Sequence, residues 1–142
     1  MEGFIKKAAQ IAHRRHKKLY VDVPVSWADF RRNGRDSGLD YKRVLRHADN
    51  IVVWNYFYLE GKPPAVSEAI SRYLVENLPK DSFYVSLGLW GKNDDQMDPK
   101  TFSQGLRSTV RGGVKRIWVT PDSLMTEGHW NEVRSDLGRE KH

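Results

Sequence analysis

The chain has 142 residues, 39% of them hydrophobic and 11% aromatic, which suffices for one packed domain and excludes global disorder. Cysteine is absent, so a disulfide framework, a thiolate metal site and a Cys nucleophile are excluded together. The formal charge of +6 suits anionic partners, but it gathers in HRRHKK at 13–18 and RRNGR at 31–35 and forms no stripe along a nucleic-acid-binding motif.

Helical spacing opens the chain over 3–17, where Ile5, Ala8, Ala9, Ala12 and His16 share a face opposite Lys and Arg. A strand, LYVDVPV, follows at 19–25. Asp40 is a good N-cap for a short helix, YKRVLRHA, which leads into a second strand over 50–58, NIVVWNYFY. Pro64 opens AVSEAISRYLVENL as a first-turn proline and Pro79 closes it. FYVSLGLW at 83–90 is the third strand. Asp98 and Pro99 start PKTFSQGLRSTVR, the Gly112-Gly113 pair ends it, and VKRIWVT at 114–120 is the fourth strand. Thr126 caps a last helix, EGHWNEVRSDLG. The order αβαβαβαβα shows no repeat, linker or low-complexity segment, so 1–142 reads as one domain.

Strict alternation of strands with crossover helices predicts an α/β fold with a parallel sheet. A small doubly wound sheet, the alternative, buries its strands on both faces and favours continuous Val, Ile and Leu. Here Val21, Val23 and Val25 alternate with Tyr20, Asp22 and Pro24, while Val85, Leu87 and Leu89 alternate with Tyr84, Ser86, Gly88 and Trp90. Ile117 and Val119 flank Trp118 in the same way. An aromatic, small or polar second face suits a barrel lumen. A full (β/α)₈ barrel has twice as many strands, so the expectation is a (βα)₄ half-barrel preceded by one helix. Its open edges and lumen call for closure, by a second copy around a twofold axis or by a complementary half.

The run YVDVPVSW, IVVWNYFYLEG, FYVSLGLWGK and GGVKRIWVTPDSL resembles the last four strands of glycoside-hydrolase-type (β/α)₈ barrels. It is similar to the hydrolase domain acting on poly-N-acetylglucosamine exopolysaccharide, whose Tyr-x-Glu segment is matched by Tyr58, Leu59 and Glu60. Its Pro-Asp segment is matched by Pro121 and Asp122. The resemblance implies a barrel half that binds, or helps to hydrolyse, a polysaccharide in a closed lumen. A looser similarity to chitinase-type barrels implies that Trp54 and Tyr56 point into the lumen above Val52. Periodicity leaves that open, because Ile51, Val53, Asn55 and Phe57 form an equally good face and a one-residue shift exchanges them. The principal acidic motif of these families lies at the end of the fourth barrel strand, outside the matched strands.

Glycoside hydrolysis needs a proton donor and a second carboxylate, or a substrate acetamido group in its place. Asp22, in mid-strand on the non-aliphatic face, and Glu60, at the C-terminal end of a strand, are the catalytic candidates. Each also has a plain reading, Asp22 as a hydrogen-bonded lumen residue and Glu60 as a solvated turn residue. Pyranose rings pack their C–H faces on aromatic rings, which makes Trp90, Trp54, Tyr56 and Trp118 the binding candidates, with core packing as the competing role. Tyr58, Thr120 and Asp122 join them at strand ends, whereas Trp27 and Trp130 are assigned to helix or loop packing. His13 and His16 lack a carboxylate ligand nearby, and Asp94, Asp95 and Asp98 lack calcium-loop spacing, so neither metal nor cofactor is expected. Two further readings remain: a non-catalytic assembly module such as an excised or engineered half-barrel, and a basic surface binding an anionic polymer through Arg31, Arg32 and Arg35. Nucleic acid is not an expected ligand. No run approaches the roughly 18 apolar residues of a membrane span and no signal peptide is read, so a soluble chain is expected and the compartment stays unassigned.

Overall fold

The structure, a computed structural model, describes residues 2–32 and 39–140, with side chains as far as Asp136. Helix α1 (Glu2–Arg14) buries Ile5 and Ala9, one turn apart, and stops before His16, whose φ of 55° is left-handed. The expected extension to 17 is therefore cut short. Strand β1 (Tyr20–Pro24) is followed by α2 (Tyr41–Val44), where the Asp40 carboxylate accepts the Lys42 and Arg43 amides as the cap predicted from sequence. Then come β2 (Asn50–Asn55), α3 (Val66–Asn77), β3 (Phe83–Gly88), α4 (Pro99–Arg111), β4 (Ile117–Thr120) and α5 (Glu127–Glu140). Asp98 caps α4 through the Thr101 amide at 3.0 Å, with Pro99 at the first helical position.

The strands are shorter than their hydrophobic runs. After Asn55 the chain turns, with the Glu60 amide donating to Tyr56 O and the Lys62 amide to Phe57 O, so Tyr58 sits in a turn and not in a strand. Residues 114–116 only carry the chain from α4 to the sheet, and β1 and β3 likewise end at Pro24 and Gly88. An apolar run marks burial, whereas a strand also needs a neighbour at hydrogen-bonding distance.

All four strands are parallel in the order β1-β2-β3-β4. Parallel crossovers are right-handed, so an order that never reverses puts every crossover helix on one face. Burial agrees: Val23, Ile51, Val53, Val85 and Leu87 form one cluster with Ile70, Leu74, Phe102 and Leu106 from the helices. The doubly wound alternative, which needs a reversal of strand order and helices on both faces, is not what forms. On the other face Tyr20, Trp54 and Trp118 stay open at 37%, 38% and 41% exposure, while Val52 and Ser86 between them are buried.

The helical layer follows chain order. Glu2 of α1 reaches Arg43, Arg46 and His47, so α1 lies on the flank nearest β1. Asp136 of α5 accepts from Arg107 Nε at 2.7 Å and Ser103 Oγ at 2.9 Å, so α5 lies on the flank nearest β4. No helix among the described residues is long and apolar enough to cross a membrane.

Candidate functional site

Register decides which side chains share the open face. Asp22 pairs with Val52 and Val52 with Tyr84, while Pro24 pairs with Trp54, Trp54 with Ser86 and Ser86 with Trp118, so these residues form rows across the sheet. Phe57 and Asn55 are buried on the helical side, at 1% and 0% exposure, which leaves Trp54 and Tyr56 on the open face above Val52. The alternation in β2 is thereby resolved, and the deciding factor is which face the crossover helices cover.

Two aromatic groups occupy this face. At the N-terminal ends of the strands Tyr20, Tyr84 and Trp118 lie with ring centroids 4.9 to 6.3 Å apart. The Arg116 guanidinium stands 4.0 Å over the Tyr84 ring, and it holds the Tyr84 phenol below its ordinary pKa. At the C-terminal ends Trp54 stacks on Tyr56 at 5.4 Å and 14°, and Tyr56 meets Trp90 at 4.8 Å. Gly88 permits this packing, because a Cβ there would come within 2.8 Å of the Tyr56 ring and 3.0 Å of Trp90.

The upper group lines a cleft of about 380 Å³ with Trp27, Leu59 and Glu60. Trp54, Tyr56, Trp90 and Glu60 are thus brought together as sequence-level candidates. Trp27, assigned to packing from sequence, does pack against the core and is also a wall of the cleft, as is Leu59. The signal for Trp27 was its position just past the end of β1, the same kind of position that Trp90 holds past β3. Glu60 is exposed, and no hydrogen bond or ion pair among the described residues engages its carboxylate.

The other candidates lie elsewhere. Asp22 is exposed, although it lies in mid-strand, and it does not line the cleft. Its charge still reaches Tyr56: burial pushes the Tyr56 phenol up, Asp22 adds to that, and a Ser86 hydrogen bond opposes it. Tyr58 donates to Asp95 at 2.7 Å, tying the turn after β2 to the loop after β3; that bond raises its own pKa. Trp118 belongs to the lower group, Thr120 ends β4 level with Gly88, and Asp122 is exposed in a 3₁₀ turn, Asp122–Leu124. Of the basic trio, Arg31 is held by Asp29 at 2.8 Å and Arg35 lies outside the described residues.

Chemically, the cleft offers flat apolar rings and one carboxylate at its rim. That set can stack a pyranose ring and accept its hydroxyls. Among the described residues its walls carry no second carboxylate facing Glu60, and Asp22 is not one of them. No protein-family model, curated protein or solved structure matches the chain.

Proposed function

We propose that this chain is the carbohydrate-binding half of a (βα)₈-type barrel, with the Trp54–Tyr56–Trp90 cleft as the seat for a pyranose ring of an N-acetylhexosamine polymer. The observation that carries the reading is the aromatic cleft itself, with Glu60 at its rim, at the C-terminal ends of parallel strands on a face without helices. Barrel enzymes place substrate groups at that end. A sheet wound in one direction, with an aromatic and polar face opposite its helices, supports the half-barrel part, and the similarity of the strand-end motifs to poly-N-acetylglucosamine hydrolases supports the ligand class. Glu60 accepts sugar hydroxyls, and binding is the role that the aromatic walls of this cleft support.

Titration of chito-oligosaccharides followed by tryptophan fluorescence tests this. Binding is expected to be insensitive to salt and to weaken about tenfold or more in Trp90→Ala, the effect of losing a central aromatic anchor. Equal affinity for Trp90→Ala and the parent chain overturns the reading. Steeply salt-dependent binding of a polyanion with no response to neutral sugar supports the basic-surface alternative.

A further inference from the structure

The half-barrel reading leaves open what closes the barrel, and two independent features of the structure bear on that. The first is helix arithmetic. A (βα)₈ barrel carries one helix per strand. Here α1 packs beside α2 on the β1 flank and α5 beside α4 on the β4 flank, so among the described residues five helices accompany four strands, one of them at each outer seam. Two copies closing on each other bring ten helices to eight strands, with α5 of one and α1 of the other competing for each seam.

The second feature is charge. Lys17 and Lys18 stand just before β1, and Lys115 and Arg116 just before β4. In any parallel closure the N-terminal ends of the edge strands lie side by side, so a second copy sets Lys17 and Lys18 against its own Lys115 and Arg116, twice over. Like charges at that spacing repel, and complementary charge at these ends attracts. The lower aromatic group, Tyr20, Tyr84 and Trp118, lies between these two basic ends on the open face.

Resting on the half-barrel reading, we infer that the open face is a docking surface for a four-strand, three-helix βαβαβαβ unit with acidic residues at the N-terminal ends of its two edge strands, and not for a second copy. Its first strand adds to β4 and its last to β1, which gives eight strands and eight helices. An apolar groove of about 410 Å³ lies between α4, β4 and α5, walled by Leu106, Val110, Ile117, Val119 and Val133, on the side of the first of these strands.

The test uses the whole chain and two versions of one probe, a βαβαβαβ unit taken from a (βα)₈ protein of known structure. One version carries Glu immediately before its first and last strands and the other carries Lys. Sedimentation is expected to show the chain monomeric at low salt, a 1:1 complex with the Glu version, and association on the order of tenfold weaker with the Lys version. Hydrogen exchange is expected to slow at β1 and β4 only in the complex. In K17E/K18E the preference for the Glu version shrinks or reverses. A discrete dimer of the chain at low salt overturns the inference, as does equal association with both versions or with neither. None of these readouts involves sugar, so their failure is distinguishable from failure of the cleft reading, which the Trp90→Ala titration addresses.

Discussion

Gly88 sets how closely Tyr56 and Trp90 approach the sheet, and therefore the width of the aromatic cleft. A methyl group at this position overlaps the Tyr56 ring at its near edge, where the side chain has least freedom to move. Gly88→Ala is expected to weaken sugar binding several-fold while circular dichroism stays unchanged; an unaltered affinity removes Tyr56 from the site. Tyr56 also reports on its neighbours. Its phenol is pushed up first by burial and then by the Asp22 charge, so it remains a proton donor above the usual tyrosine value of about 10. Because the folded pKa is the raised one, its contribution to stability is intact below about pH 10 and fades as pH climbs from there through the folded value. Asp22→Asn removes the charge but not the burial, and absorbance titration at 295 nm should show Tyr56 moving part of the way back down.

At the level of elements, the helices were set by local chemistry. Asp98 accepts both the amide and the hydroxyl of Thr101, at 3.0 and 2.6 Å, and Pro99 fits the first turn, so α4 starts where its sequence says. Asp98→Ala is expected to cost about 1 kcal/mol in urea unfolding, the usual worth of an N-cap, with the m-value unchanged. Helix α5 begins with a variant of the same device. His129 stands three residues after Thr126, accepts the Thr126 amide at 3.1 Å on Nδ1 and donates from Nε2 to the Met97 carbonyl at 2.8 Å. The cap thus also anchors α5 to the segment preceding α4.

For the whole molecule, the decisive asymmetry is between a sheet face packed under helices and one left open. Trp118 sits on the open face at 41% exposure, outside the helical core. Trp118→Gln should therefore change unfolding free energy by no more than about 0.5 kcal/mol while lowering the binding of a hydrophobic dye such as ANS. A large loss of stability instead would mean that the lower aromatic group is a second core.

Alternation of apolar with aromatic and polar residues in β1, β3 and β4, together with the capping residues at 40, 98 and 126, determined the order of elements and the parallel α/β class. It also exposed Trp54, Tyr56, Trp90 and Glu60 as residues worth placing. Period-two patterning is local, so sequence alone could read it. Which face of β2 is covered, where the strands stop, and that Trp27 shares a cleft with Glu60 while Asp22 does not were decided only by tertiary structure. Each of these depends on the register between strands and on which side the helices cross, and both are long-range interactions that no single segment encodes.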